Sequence, residues 1–162
     1  MAIKLVRIDF RLIHGQVITK WVRTVGANLI LIVNDDLFND KFMFDIYKMS
    51  APTGIKVDVM TKDAFADAWK TNQFESDNVM ILLKSVKDAY YLYKQDVVFD
   101  ELQIGGLGGG PGRKVVFGPI TLDKTDVEQL DEISNSNTKV YFHQVPEDPS
   151  ADYQKIIIKH NF

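Results

Sequence analysis

Two arginines, an aspartate and a histidine lie within eight residues of one another near the start of the chain. Arg7, Asp9 and Arg11 alternate with apolar residues, and His14 follows three positions later. Because successive side chains of an extended backbone point to opposite faces, this spacing predicts that the three charges share one side and the intervening apolar residues the other. Guanidinium groups bind phosphoryl oxygens through paired hydrogen bonds, and imidazole is a nitrogen nucleophile. The cluster therefore predicts a site where a phosphoryl group is attached to His14 or approaches it.

The residues that follow His14 extend this prediction. Gly15 and Gln16 precede a helical pattern that begins at Val17, so their backbone amides are predicted near a helix N-terminus, which attracts anions. Asp9 either holds one of the arginines or accepts a hydrogen bond from a ring nitrogen and fixes the tautomer of His14. The same residues also fit a histidine in a loop beside a surface ion network. Spacing alone leaves both interpretations open.

A glycine-rich segment at 105–112 is the second candidate for a site. It contains no Gly-x-Gly-x-x-Gly, and Lys114 is followed by Val115 where a P-loop has serine or threonine, so a nucleotide-binding enzyme is disfavoured. One interpretation is a mobile connection. In the other, Gly105 and Gly106 end a strand next to the first strand and let the backbone approach His14 closely.

Other polar residues fit simpler roles. Asp35 and Asp36 follow the second predicted strand and resemble the acidic pairs of receiver domains, but a helix cap explains them as well. His143 and His160 have no second ligand at a suitable spacing, so we predict neither a metal site nor a cofactor. A receiver-like regulatory module that binds phosphate remains the alternative function.

Composition limits the class of protein. The chain has 162 residues with a formal net charge of -3, which predicts a single domain over residues 1–162 and argues against nucleic-acid binding. No apolar stretch is longer than Leu29 to Val33, which is far shorter than the roughly 18 residues of a membrane helix, and the first residues lack the pattern of an export signal. We therefore expect a cytoplasmic protein that does not span the membrane. The absence of cysteine excludes thiol chemistry.

Alternating strand and helix patterns predict the scaffold. Residues 3–8 are β-rich, 28–33 form an unbroken apolar run typical of a buried strand, 55–60 alternate as a short strand, and 78–83 form the fourth strand. Helical spacing follows each of them, and the second helix is predicted over Leu37 to Ser50. This rhythm predicts the α/β class: an open, mainly parallel twisted sheet with helices on both faces. Further along, the short strands 102–104 and 114–117 are predicted to form an antiparallel pair near the C-terminal edge. A helix capped by Thr121 or Asp123, a strand at 139–143 and a terminal helix at 151–159 complete the prediction.

Several of these motifs together resemble one protein family. The run at residues 7–17, Arg-Ile-Asp-Phe-Arg-Leu-Ile-His-Gly-Gln-Val, is followed by Trp21, by Ala-Pro-Thr-Gly at 51–54 and by Ile-Gly-Gly at 104–106. These features are similar to the mannose/fructose/sorbose family IIB component of the bacterial phosphoenolpyruvate-dependent sugar phosphotransferase system. The resemblance covers nearly the whole chain, and its most specific part is the run that ends in His-Gly-Gln.

The resemblance implies a function as a phosphotransferase. In that family the histidine that matches His14 accepts a phosphoryl group from a phosphohistidine on the IIA component and passes it to a sugar held by the membrane components IIC and IID. Arg7, Arg11 and the nearby amides would then supply the positive field that Mg²⁺ supplies in kinases. The implied location is the cytoplasm, peripherally associated with the membrane permease. Family members often carry a polar or acidic residue where this chain has Phe10, and the sugar is left open because its pocket belongs to the membrane components.

Overall fold

A computed structural model describes residues 2–71 and 77–162. In chain order the elements are β1 (Ala2–Asp9), α1 (Val17–Val25), β2 (Leu29–Val33), α2 (Asp35–Asn39), α3 (Lys41–Met49), β3 (Lys56–Met60), α4 (Lys62–Lys70), β4 (Asn78–Leu83), α5 (Val86–Lys94), β5 (Glu101–Gly106), β6 (Lys114–Phe117), β7 (Ile120–Leu122), α6 (Lys124–Ser134), β8 (Lys139–Phe142), β9 (Ala151–Asp152) and α7 (Tyr153–Ile157).

The main sheet has seven strands in the order β3-β2-β4-β1-β5-β8-β9. All neighbouring strands are parallel except β9, which pairs antiparallel with β8 at the edge. β1 therefore lies between β4 and β5. The chain leaves β1 toward β2 on one side and reaches β5 and β8 on the other, so the carboxyl end of β1 lies at a topological switch point, where open α/β sheets bind ligands.

Helices cover both faces of the sheet, as predicted. On one face Ile18 and Trp21 of α1 pack with Ile30 and Met80. On the other, side chains of α4, α5, α6 and α7 pack with Ile8 and the alternate residues of the same strands. Burying each large aliphatic side chain contributes about 1.5–3 kcal/mol, which is why these apolar runs fix the layers so strongly.

The helix predicted over Leu37 to Ser50 is two helices. Asn34 begins α2 by accepting a hydrogen bond from the Leu37 amide, and α2 ends at Asp40. Asp40 then begins α3, because its side chain accepts a hydrogen bond from the Met43 amide. Asp40, a capping residue inside the helical pattern, thus divides it.

The antiparallel pair near the C-terminal edge is present, but with a different partner from the one predicted. β6 pairs with β7 in a separate two-stranded sheet, while β5 lies parallel between β1 and β8. The short connection through Gly118, whose φ of 52° favours glycine, lets β6 pair with the next segment of the chain. Asp123, not Thr121, caps α6, and the terminal helix begins only at Tyr153 because Ala151–Asp152 pairs with β8.

Candidate functional site

The Asp9 carboxylate is the centre of the predicted cluster. Asp9 ends β1 and is fully buried. Its Oδ2 lies 3.2 Å from Nη2 of Arg7 and 3.8 Å from Nε2 of His14. Its Oδ1 accepts a hydrogen bond from the Arg11 backbone amide at 3.1 Å and lies 3.8 Å from Nε of Arg11. The structure therefore brings together the four residues that the sequence singled out.

The alternation that suggested this cluster extends only to the end of β1. Arg7 and Asp9 share one face of the sheet and Ile8 packs on the other. Beyond Asp9 the chain turns, and Leu12 packs in the core on the α1 face instead of joining Ile8. The prediction that all intervening apolar residues lie opposite the charges is therefore wrong beyond β1, because the strand ends at Asp9.

His14 is held by the turn that precedes it. Its Nδ1 lies 3.0 Å from the Leu12 carbonyl oxygen, which can only accept, so Nδ1 carries a proton. In the neutral ring the lone pair is then on Nε2, which is buried, has no hydrogen-bond partner among the described residues, and faces the Asp9 carboxylate. Leu12 adopts a φ of 54°, a left-handed conformation that is unfavourable for leucine. Such conformations concentrate at functional sites, where the surrounding structure enforces them.

The two arginines have different environments. The Arg11 side chain is 46% exposed, so its guanidinium is accessible beside His14. Arg7 is fully buried: Nη1 donates to Gln103 Oε1 and to the His143 carbonyl, and Nη2 donates to Asp9 and to the Gln144 carbonyl. Burial lowers the pKa of Arg7, and the neighbouring Asp9 carboxylate opposes that shift. Arg7 therefore holds Asp9 and residues 143–144 in place, and its guanidinium is not exposed to solvent.

Gly105 and Gly106 allow this burial. A Cβ on Gly105 would lie 2.0 Å from Cζ of Arg7, and one on Gly106 would lie 2.9 Å from Oδ1 of Asp9. β5 is the neighbour of β1, as the sequence analysis proposed, with Asp9 opposite Gly106. The close approach, however, is to Arg7 and Asp9 and not to the His14 ring. Beyond Gly106, the remaining glycine-rich segment is fixed by Arg113, whose Nε donates to the Gly108 carbonyl.

Gly15 and Gln16 lie at the start of α1. Gly15 is exposed with a φ of 48°, and Gln16 occupies the N-cap position without making a side-chain cap. The first turn of α1 carries no acidic residue. The amides there are left for solvent or for an anion, which fits the predicted phosphate-binding role.

The other candidates have structural contacts. Asp35 accepts a hydrogen bond from the Lys62 amide at the start of α4, and Asp36 is exposed. His143 contacts the Trp21 ring edge to face, and its Nε2 lies 2.8 Å from the Asp148 carbonyl oxygen. Within residues 2–71 and 77–162, histidines and carboxylates do not gather in a group that could hold a metal ion. None of the helices in the described part of the chain has the length and apolarity that a bilayer crossing requires.

Sequence reasoning missed three contributors to the site. Gln103 is fully buried and bridges Arg7 to the Tyr141 hydroxyl, and its position inside an otherwise apolar strand was a usable signal. Trp21 donates from Nε1 to the Gln144 carbonyl, and its ring lies 5.6 Å from the Arg7 guanidinium. The third contributor is the pair of main-chain carbonyls at residues 143 and 144, which give no signal in the sequence because every residue has a carbonyl.

Comparisons with known proteins give one consistent result. Residues 3–162 match the family model described as PTS system sorbose subfamily IIB component. The sorbose-specific EIIB component of Klebsiella pneumoniae is 34% identical over 94% of this chain and 93% of its own length. The mannose-specific EIIAB component of Escherichia coli K12 is 26% identical over 98% of this chain, which spans 49% of that relative.

A solved structure agrees with the fold as well. The crystal structure of the IIB domain of the sorbose permease from Klebsiella pneumoniae superposes with a TM-score of 0.92 and 33% identity, covering 100% of this chain and 99% of that one. Its likeness extends over the strands that carry the cluster around Asp9. The chain therefore belongs to the sorbose subfamily of IIB components of the sugar phosphotransferase system, whose members are phosphotransferases.

Proposed function

We propose that His14 accepts a phosphoryl group from a phosphohistidine on a IIA component and passes it to a sugar held by membrane IIC and IID components. The observation that carries this proposal is the position of His14, beside the buried Asp9 carboxylate and an exposed arginine at the open start of α1. These are groups that a phosphoryl carrier needs: a nucleophile, a carboxylate beside it, and donors for the phosphoryl oxygens.

The transfer exchanges one nitrogen–phosphorus bond for another. The bond between phosphorus and the donor imidazole breaks while a bond forms between phosphorus and a lone-pair nitrogen of His14, and the electron pair of the broken bond stays on the donor nitrogen. In the present conformation Nδ1 is protonated against Leu12 and Nε2 is buried against Asp9. The ring must therefore turn, or release one of these contacts, before it can attack.

Each neighbour has a distinct role in this proposal. The Arg11 guanidinium and the amides at Gly15 and Gln16 bind the phosphoryl oxygens as charge spreads over them. The Leu12 carbonyl orients the ring through Nδ1, and the Asp9 carboxylate faces Nε2. Arg7 acts as a positioning residue through Asp9, and Gly105 and Gly106 provide the space that Arg7 and Asp9 occupy.

The partners follow from the family. The relative whose name is EIIAB combines an A and a B component in one chain, which supports a IIA protein as the phosphoryl donor. Transfer to a transported sugar requires contact with membrane components, so we place the protein in the cytoplasm, peripherally associated with the permease. The relatives carry the names of different sugars, sorbose and mannose among them, and the site around His14 does not select one.

A phosphorelay with labelled phospho-IIA tests this function. The chain should take up label that is lost in acid and kept in base, as a phosphohistidine is, and vesicles containing IIC and IID should then transfer the label to sugar. Label that is lost in base instead would indicate an aspartyl phosphate and would favour the receiver-like module. Asp35 already accepts the hydrogen bond from the Lys62 amide, so Asp36 is the exposed carboxylate that the receiver-like alternative would have to use.

A further inference from the structure

Phe10 is an exposed aromatic side chain beside the proposed phosphoryl acceptor. It is 40% exposed, immediately follows Asp9, and precedes the exposed Arg11. Aromatic side chains are enriched at the centres of protein interfaces, where they supply large apolar contact area with few rotatable bonds. A single exposed aromatic residue needs no explanation elsewhere on a surface, but here its position is tied to the site.

The Phe10 ring is held in place. Its backbone amide donates to the Gly106 carbonyl at 3.0 Å. A Cβ on Gly108 would lie 3.3 Å from Cε2 and Cζ of the ring, so the ring lies against the glycine-rich segment, and the Arg11 guanidinium lies 5.6 Å from the ring centre. A side chain that is already ordered loses little conformational entropy when a partner covers it.

The chain geometry places Phe10 inside any protein interface centred on His14. Four residues span at most about 14 Å when fully extended. A standard interface buries about 800 Å² on each partner, a patch roughly 30 Å across. Phe10 therefore lies within the radius of the patch that a protein covers when it brings its own histidine to His14.

We infer that Phe10 is a docking residue for the phosphoryl-donor protein and contacts an apolar rim around that protein's phosphohistidine. This inference rests on the proposed function. Donor and acceptor imidazoles must both approach one phosphorus atom, so the two protein surfaces meet directly around His14. In the transfer to sugar, the sugar itself spans part of the distance to the membrane component that holds it, so the two proteins need not meet around His14. We therefore assign the Phe10 contact to the phosphoryl-donor protein.

Steady-state transfer from phospho-IIA tests the inference. Phe10→Ala should raise the KM for phospho-IIA by about tenfold, the loss typical of an interface anchor, while kcat at saturating donor stays within about twofold. Phe10→Leu should retain most of the affinity because it keeps an apolar contact, and Phe10→Asp should lose more than Phe10→Ala. The matched control is Met49→Ala, because Met49 is 78% exposed. Met49 ends α3, which returns the chain to the start of β3, at the end of the sheet opposite to the carboxyl end of β1. The KM of this variant for phospho-IIA should not change.

A small phosphoryl donor shows whether Phe10→Ala weakens the docking of the donor protein or damages the site around His14. Phosphoramidate presents no protein surface, so Phe10→Ala should be phosphorylated by it at the wild-type rate. Equal losses with phosphoramidate and phospho-IIA would overturn the inference, because Phe10 would then support the site itself. An unchanged KM for phospho-IIA, or a loss confined to transfer to sugar, would overturn it as well. Failure of the wild-type chain to accept phosphate from either donor would instead contradict the proposed function.

Discussion

Oδ2 of Asp9 lies 3.8 Å from Nε2 of His14, and the same oxygen accepts a hydrogen bond from the buried Arg7 guanidinium at 3.2 Å. A carboxylate fixed from inside the protein thus faces the His14 imidazole, whose side chain is 17% exposed. Because Arg7 also binds the carbonyls of residues 143 and 144, the orientation of Asp9 depends on contacts that reach the far side of β5. The burial of Arg7 leads directly to a prediction about stability.

Arg7→Met should lower the free energy of unfolding by about 3–5 kcal/mol, since it leaves the buried Asp9 carboxylate without its main cationic partner. Arg11→Met is the matched control, because the Arg11 side chain is 46% exposed and its loss should cost less than about 1 kcal/mol. Urea denaturation of both variants measures the difference. Similar losses for the two variants would show that Arg7 is not the anchor of Asp9.

Arg11→Lys should slow phosphoryl transfer to and from the chain by about tenfold or more, because a flexible ammonium cannot reproduce the two fixed hydrogen bonds that a guanidinium offers to phosphoryl oxygens. The charge is kept and the side chain is exposed, so the melting temperature should stay the same. Single-turnover transfer from phospho-IIA provides the rate. A wild-type rate would mean that Arg11 serves only as a partner of Asp9.

Gly106→Val should reduce the transfer rate by at least about tenfold, since its Cβ would lie 2.9 Å from Asp9 Oδ1 and would displace the carboxylate. Because the displaced carboxylate also pairs with the buried Arg7, the melting temperature should fall as well. Gly109→Ala is the control, because a Cβ there meets no atom within 4 Å among the described residues. Relay rate and melting temperature should be measured for both. Wild-type rates in both variants would confine the site to the segment from Arg7 to Gln16.

The sequence predicted those parts of the fold that depend on local patterns. The apolar run at Leu29–Val33 indicated a strand buried on both faces, and the structure places it between β3 and β4. Asp123 could be recognised as a possible cap because a cap depends on neighbouring residues. The partner of β6 was predicted wrongly, because strand pairing depends on where the chain is directed in three dimensions.

The same distinction applies to the site. The grouping of Arg7, Asp9, Arg11 and His14 could be predicted, because they are close in sequence. The burial of Arg7 could not, since it depends on Gly105 and on carbonyls more than 130 residues away, at 143 and 144. Nor could the exposed position of Phe10, which follows from the end of β1 at Asp9 and from the contact with Gly108.

Mapping the modified residue by mass spectrometry shows whether His14 carries the phosphoryl group. After reaction with phospho-IIA, peptides kept at neutral to basic pH should show one phosphate, on the peptide that contains His14. His14→Ala should take up no phosphate while keeping its fold, because the ring lies in the turn between β1 and α1, outside the apolar core. Phosphate on His143, on His160 or on an aspartate, or full phosphorylation of His14→Ala, would contradict the account.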